Sequence, residues 1–382
     1  MKEQIAQIFR EIFGNEPVLA FAPGRINLIG EHTDYQEGLV FPAAVEKGIY
    51  IAIQKNNTSM CKLYSFDFDQ EYSFSLHEIS PKKGHWANYV MGMVSQFAQA
   101  GFNAEGFDMV IAGDIPVGSG LSSSAAFSIA IGTGVAHLFN FSVPTKSLVL
   151  YAQKSEHLFA GVMCGIMDPY ASAFGAKDKA LLLDCRTNTH QEVIANLGEY
   201  SLLLVNTNVK HSLADSAYNK RRAACEESVK LLKIHYPQAT TLRDIAISEI
   251  KEVEKLLPAD LFPKAKHVIT EIERVRMTSQ ALRKNDLPKF GELLKASHLS
   301  LSKDFEVSCK ELDFLSEKSW EFEDVLGSRM MGGGFGGCTI NLIKTEVIPQ
   351  FQREIAEKYT HEFDINPDFI LVKLSEGARI LD

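Results

Sequence analysis

The segment that most constrains this chain is one where its pattern changes twice within twenty residues. An apolar stretch at 107–111 is followed by Pro116-Val117-Gly118-Ser119-Gly120-Leu121-Ser122-Ser123-Ser124-Ala125-Ala126, and then by a run rich in Ala and Ile. The order is strand, glycine turn, helix. Glycines let the backbone approach a ligand closely, and the free N–H groups of a first helical turn, with the helix dipole behind them, favour a phosphate. No Gly-Lys-[Ser/Thr] follows, so this is not a Walker loop. Counter-charge must then come from a metal ion or another segment, and a serine hydroxyl at the helix start suits Mg2+. The same residues also fit a small-residue helix end packed against a sheet.

The rest of the chain alternates in the same way. Ile5, Ile8, Phe9, Ile12 and Phe13 step by three and four, which predicts a helix stopped at Gly14-Asn15. Period two then predicts strands around 18–21, 50–53, 61–64 and 72–76. Helices are expected from Trp86 to about Gln99, from Pro144 through His157, and around Asp168, before a strand at 180–184. Beyond it come a buried strand at 200–205, helices at 213–232, 245–257, 267–282 and 287–298, and two strands, 338–343 and 369–372, flanking a helix at 347–359. There is no internal repeat, low-complexity tract or linker. With 382 residues, about two domains are expected, here 1–185 and 186–382, packed closely as an α+β protein.

Composition excludes several function classes. Apolar residues make up 46% and charged residues 23%, with 24 Phe and 11 Tyr, which is globular and not disordered. Net charge is -9, from 39 Lys plus Arg against 48 Asp plus Glu, and no basic run supports nucleic acid or an anionic membrane. Cys61, Cys164, Cys185, Cys225, Cys309 and Cys338 have neither CxxC nor Cys/His ligand spacing, so buried free thiols in a reducing compartment are expected. The N-terminus lacks the apolar core of a signal peptide and no apolar run approaches the roughly 18 residues of a span, which predicts a cytoplasmic protein.

Three further segments carry chemistry. Met330-Met331-Gly332-Gly333-Gly334-Phe335-Gly336-Gly337-Cys338 holds five glycines in six positions before a strand. Each ordered glycine costs about 0.5–1 kcal/mol relative to Ala, so close approach to a ligand or to the first glycine loop is the better account than a plain bulge. Ala22-Pro23-Gly24-Arg25-Ile26-Asn27-Leu28-Ile29-Gly30-Glu31-His32-Thr33-Asp34-Tyr35 sets Arg, Glu, His and Asp together between glycines. Such groups suit a polyhydroxylated ligand, whose hydroxyls donate to carboxylates and accept from nitrogen, and Arg25 suits a phosphoryl group. The alternative is a solvated charged turn. Gly165-Ile166-Met167-Asp168-Pro169-Tyr170 places one Asp in an apolar stretch, either a helix cap or a buried functional carboxylate, with Glu156 twelve residues earlier. His157, His137 and His298 read as surface or satisfied core histidines.

Taken together, these segments resemble the galactokinases, within the GHMP family of small-molecule kinases, over nearly the whole length. The run 24–35 is similar to the galactokinase signature, 118–126 to the family's nucleotide loop and 332–337 to its third motif. Asn208-Val209-Lys210-His211-Ser212-Leu213, Tyr218 with Arg221-Arg222, and Ser328-Arg329-Met330 are similar as well. The resemblance implies a two-lobed fold, ribosomal-protein-S5-like then ferredoxin-like, with the site in the cleft between the lobes and the last strand free to return to the first. It implies ATP-dependent phosphorylation of D-galactose at the C1 hydroxyl, the entry step of the Leloir pathway. Asp168 would be the base, and Arg25 would steady both the phosphoryl group and Asp168. Glu31, His32, Thr33, Asp34, Gly165 and Tyr218 would contact the sugar. Gly118, Ser119, Gly120, Leu121, Ser122, Ser123 and Ser124 would contact ATP, and Ser124 and Glu156 would hold Mg2+. The implied partners are galactose and ATP, without nucleic acid or membrane, for a monomer. Two residues depart from the family pattern: Pro169 where Gln usually follows the Asp, and Met163 where a small or polar residue is usual. A kinase for a related sugar (N-acetylgalactosamine or arabinose) and a non-catalytic galactose sensor are the competing readings. Against the sensor stand a complete serine loop, Arg25 and Asp168. A Rossmann oxidoreductase is disfavoured because Leu-Ser-Ser follows Gly118-Ser119-Gly120.

Overall fold

The computed structural model describes residues 1–116, 118–209 and 214–381; Val117 and residues 210–213 of the motifs above lie outside the described residues. The elements run α1 (Lys2–Phe13), β1 (Val18–Asn27), β2 (Leu39–Val40), β3 (Pro42–Lys55), β4 (Met60–Ser65), β5 (Gln70–Ser75), α2 (Asn88–Gln99), β6 (Phe107–Gly113), α3 (Ser123–Leu138), α4 (Thr145–Ser155), α5 (Met167–Phe174), β7 (Lys179–Asp184), β8 (Thr189–Ile194) and β9 (Tyr200–Asn206). They continue α6 (Ala214–Leu232), α7 (Ile250–Leu256), α8 (Phe262–Arg283), α9 (Leu287–Ser300), α10 (Lys310–Trp320), β10 (Val325–Met330), β11 (Cys338–Lys344), α11 (Ile348–Phe363), β12 (Asp368–Val372) and β13 (Arg379–Leu381). Among the described residues the strands form a six-stranded sheet ordered β13-β1-β3-β6-β4-β5, a four-stranded sheet β10-β11-β9-β12 and a three-stranded sheet β2-β7-β8.

Period two decides which face of each strand is covered. In the six-stranded sheet Ile49, Ile51, Ile53, Met109 and Ile111 face one way, into a core filled by Phe97 of α2, Ile129 and Val135 of α3, Val149 of α4 and Tyr170 of α5. Ala52, Val110 and Ala112 face the other way, where Ile5 and Phe9 of α1 cover them. The second sheet is built alike. Leu203, Val205 and Ile343 pack on Phe351, Ile355 and Tyr359, one stripe of α11 at spacing four. Leu202, Leu204, Ile340 and Leu342 face a larger core that also takes Ile26, Leu28 and Phe41 from the first part of the chain and Val268, Ile272 and Val275 from α8. One continuous core therefore joins the two parts.

One expected element needs correction, and some observed ones were not predicted. The helix predicted over 245–257 forms only at Ile250–Leu256. The Asp244 carboxylate accepts from the backbone N–H groups of Thr240 and Thr241, closing a short turn over Leu242–Asp244, after which Ile245 and Ala246 run extended. Strand β10 was not predicted, since Gly327, Ser328 and Arg329 interrupt any apolar alternation. Helix α10 was not predicted either, although Leu312 and Leu315 are buried on its inner side. The strand β8 also lies past residue 185 yet pairs with β7 along its length.

Candidate active site

The site begins with a slip in β1. Its register against β3 shifts between Pro23 and Arg25, because Gly24 lies against the Leu121 carbonyl, where a Cβ would come within 2.7 Å of the oxygen. The Arg25 N–H donates to that carbonyl at 2.9 Å, which ties the strand to the serine loop. The guanidinium is thereby aimed at α5. Its Nε donates to Asp168 Oδ1 at 2.7 Å and its Nη2 to Oδ2 at 2.9 Å, a two-pronged pair, while Nη1 donates to the Gly120 carbonyl at 2.5 Å. The Ser122 hydroxyl also donates to Asp168 Oδ2. Arg25 is nearly sealed, whereas the Asp168 side chain keeps 28% of its surface open.

Pro169 fits because of where it falls. Asp168 and Pro169 occupy the first turn of α5, and the first helical hydrogen bond runs from the Tyr170 N–H to the Ile166 carbonyl at 3.1 Å. The missing N–H of Pro169 is therefore one the helix would leave free anyway. Met163 is 41% exposed, and its carbonyl accepts from Arg222 Nη1 at 2.8 Å. Its side chain is not part of the cavity wall.

Asp168 and Arg25 lie in the wall of a cavity of about 290 Å3 that is also lined by Glu31, His32, Asp34, Ser124, Glu156, Gly165, Tyr218 and the loop 332–335. That size is near the lower end, roughly 300 Å3, of small-molecule clefts. Glu31 is held on one oxygen: Oε1 accepts from the Gly332 N–H at 2.8 Å and from Arg329 Nη2 at 3.2 Å. Asp34 Oδ1 accepts from the Tyr35 N–H at 2.9 Å, and Gly165 is bare because any Cβ there would overlap the Asp34 carboxylate. Tyr218 packs its ring on His32, with centroids 5.2 Å apart. His32, at φ 61, has both ring nitrogens engaged: Nε2 faces the Gly333 carbonyl at 3.1 Å and Nδ1 the Tyr35 hydroxyl at 2.9 Å. A carbonyl only accepts, so this network assigns the proton to Nε2 and leaves Nδ1 to accept from Tyr35. Thr33 stands apart from the cavity. It is fully buried, and its hydroxyl lies within hydrogen-bond distance of the Gly30 and Leu39 carbonyls, shaping the loop.

The nucleotide-loop candidates divide in a similar way. Gly118, Gly120 and Ser122 take positive φ, and Ser122, at the N-cap position of α3, makes no side-chain capping bond. Ser124 lines the cavity, while Leu121 is buried in the shared core and Ser119 is buried with its hydroxyl unpartnered among the described residues. The two glycine loops lie face to face, as expected from their cost. A methyl built on Gly337 would sit 3.8 Å from the Gly118 carbonyl oxygen, and one on Gly332 3.9 Å from that of Gly120.

Electrostatics set the site's character. Burial, and next the charge of Asp168, push the Asp34 carboxyl up to about 7. The same two causes push Glu156 up to about 7, against hydrogen bonds from Ser124 and Cys164 that pull it down. Glu156 begins a π turn, Glu156–Ala160, that extends α4. Burial, and next His267, hold His32 down at about 3, so it is neutral. The cavity therefore holds more acid than the single guanidinium answers.

Sequence reasoning missed the layer behind these groups. Arg329 is fully buried and donates to the Asn27, Leu28 and Met330 carbonyls as well as to Glu31. Glu271 of α8 accepts from the Gly30 N–H at 2.9 Å and from Ser297 at 2.6 Å; burial favours its neutral form, but Arg274, His267 and Ser297 outweigh that and hold it down at about 2. The available signal for Arg329 was its place in the Ser328-Arg329-Met330 stretch of the family resemblance, directly before the glycine cluster.

Known proteins are similar to this chain in sequence and fold. Family models match the galactokinase galactose-binding signature over residues 7–55, the GHMP kinase N-terminal domain over 88–176 and the GHMP kinase C-terminal domain over 278–361. The chain is 40% identical to the galactokinase of Bacillus subtilis, over all of this chain and 99% of that one, and 40% identical to that of Enterococcus faecalis, with both chains covered in full. The crystal structure of Lactococcus lactis galactokinase complexed with galactose superposes with a TM-score of 0.96 at 37% identity over 99% of each chain. Methanococcus jannaschii mevalonate kinase shares the fold, with a TM-score of 0.66 at 17% identity over 95% of this chain and 99% of that one. The chain belongs to the galactokinases, sugar kinases of the GHMP family.

Proposed function

We propose that this galactokinase transfers the γ-phosphoryl group of ATP to the C1 hydroxyl of D-galactose, with Asp168 and Arg25 as the catalytic pair. The observation that carries this reading is the two-pronged Arg25–Asp168 bond in the wall of a cavity that Glu31, His32, Asp34 and Tyr218 also line. A sugar hydroxyl is a weak acid, so Asp168 accepts its proton as the oxygen attacks phosphorus and the bond to the leaving ADP breaks. Arg25 orients the carboxylate and offsets charge on the transferring group. The free oxygen of Glu31, together with Asp34 and Tyr218, reads the sugar hydroxyls. Given its two engaged nitrogens, His32 contributes mainly by shape. Asp34 is a proton donor as readily as an acceptor, since it sits near 7.

Among the described residues no three His, Cys, Asp or Glu side chains gather as a metal site. Mg2+, however, needs only one or two protein oxygens besides substrate phosphates. Ser124 and Glu156 fit it: both donors are hard oxygens, both line the same cavity, and a cation would favour the charged form of Glu156 that burial opposes. When bound there, Mg2+ neutralises charge on the phosphate oxygens. The serine loop 118–124 supplies backbone N–H groups for the phosphates. We take the lobes as 1–185 and 186–382, a division supported by the two main sheets, with β13 returning to β1. No described helix is long and apolar enough to cross a membrane; a cytoplasmic monomer without nucleic-acid or membrane partners completes the reading.

The test is ATP- and Mg2+-dependent phosphorylation of a sugar panel beside Asp168→Ala. Galactose 1-phosphate that disappears in the variant supports both activity and base. Turnover only on N-acetylgalactosamine or arabinose replaces the substrate, and galactose binding without turnover in the wild type replaces the kinase with a sensor.

A further inference from the structure

The Ser122 hydroxyl is bonded to the wrong partner for a residue of a phosphate loop. It stands at the N-cap position of α3, where a serine oxygen ordinarily accepts from an N–H of the first turn, and it makes no such bond. It is held instead at φ 54, a conformation that costs a non-glycine residue, and donates to Asp168 Oδ2. That oxygen already accepts from Arg25 Nη2 at 2.9 Å, while Oδ1 accepts from Nε at 2.7 Å. A carboxylate offers about four acceptor positions, so three are taken and Oδ2 is saturated. Meanwhile the first-turn N–H groups of α3 lack the serine cap that would compete with an anion.

We infer that Ser122 is a positioning residue that couples the two substrates: a nucleotide phosphate on the serine loop takes over the Ser122 proton and frees Asp168 Oδ2 for the sugar hydroxyl. The exchange is balanced, with one O–H donor moving from a carboxylate oxygen to a phosphate oxygen and no covalent bond changed. It rests on the kinase reading above. Because the freed oxygen then accepts from galactose, nucleotide tightens galactose, and by linkage galactose tightens nucleotide by the same factor.

The test is calorimetric titration of galactose into the full chain, with and without a non-hydrolysable ATP analogue and Mg2+. One hydrogen bond gained predicts a three- to tenfold tightening in the wild type, roughly. In Ser122→Gly, which accepts the φ of 54 without strain, the ratio falls to about one, and Ser122→Ala gives the same ratio with the Cβ kept. A merely structural serine would weaken both ligands and leave the ratio unchanged. No tightening in the wild type, or an undiminished ratio in a folded variant, overturns the coupling while the kinase reading stands. Failure of the wild type to bind galactose or the analogue overturns the kinase reading itself, and this inference with it.

Discussion

Arg25 and Arg329 reach the signature loop from opposite sides, both nearly or wholly out of water, and use the same guanidinium differently. Arg25 gives two of its three nitrogens to Asp168, a carboxylate that is 28% exposed to the cavity. Arg329 gives its donors mostly to backbone carbonyls, at Asn27, Leu28 and Met330, and only one weak contact to Glu31. A guanidinium answered by an open carboxylate is available to a reaction. One surrounded by carbonyls from two distant segments is a fastener, and what it fastens is β10 to the loop at residues 27–31. Burial alone therefore does not tell a working charge from a structural one; the identity and exposure of the acceptors does.

That contrast breaks if the two arginines respond alike to truncation. Arg25→Ala should lower kcat by roughly a thousandfold, as loss of a charge-stabilising donor does, and leave the melting temperature within a few degrees. Arg329→Ala should cost about 3–5 kcal/mol in denaturant unfolding, because it strands buried carbonyls and the Glu31 carboxylate. A melting temperature that collapses for Arg25→Ala but holds for Arg329→Ala reverses the assignment. A finer version is Arg25→Lys, which keeps the charge and loses the fork; a 10- to 100-fold fall in kcat is expected, roughly, and full activity would mean that the two-pronged geometry is dispensable.

Acidity sharpens the same contrast on the cavity side. The Asp34 carboxyl sits at about 7 in the folded chain against 3.8 for its ordinary value, so between those values the folded state holds a proton that the unfolded state has released. Stability from this group therefore falls as pH rises from about 4 to 7, and the full cost persists above 7. Asp34→Asn should flatten that fall and raise stability at pH 8 by on the order of 1–2 kcal/mol. Thermal melts across pH 4–8 check it, and parallel curves for the two proteins would sink it. The smallest effect belongs to Met163→Ala, at an exposed side chain outside the cavity wall: stability within roughly 0.5 kcal/mol and unchanged kcat. A tenfold loss of kcat there would show that this departure from the family pattern reaches the site.

Much of this architecture was legible in the sequence because period two and spacing four are local signals, as in Ile49-Ile51-Ile53 or Phe351-Ile355-Tyr359. The groups in the cavity wall were legible for a different reason: Arg25, Glu31, Asp34 and Asp168 are charged residues bracketed by glycine or set in apolar runs. What stayed hidden depends on partners far along the chain. Arg329 lies about three hundred positions from the Asn27 and Leu28 carbonyls it holds, Glu271 two hundred and forty-one from the Gly30 N–H, and neither distance leaves a local trace. Thr33 and His32 differ: their residue types suit a sugar, but the fold of their own loop turns the Thr33 hydroxyl onto the Gly30 and Leu39 carbonyls and His32 onto Tyr35, with Gly333 the one distant partner.

The return of β13 gives this chain a timetable. Its backbone pairs Leu381, Ile380 and Arg379 with Leu19, Ala20 and Phe21, and on the way the chain bonds Gly377 to Gly175 and Ala378 to Ser172, at the end of the helix that carries Asp168. On a ribosome that emits the N-terminus first, the sheet begun at residue 18 stays open along one edge, and the far end of α5 stays unbraced, until some three hundred and sixty further residues have emerged. A nascent chain stalled before residue 375 would thus carry every side chain of the cavity and still lack the strand that braces their scaffold.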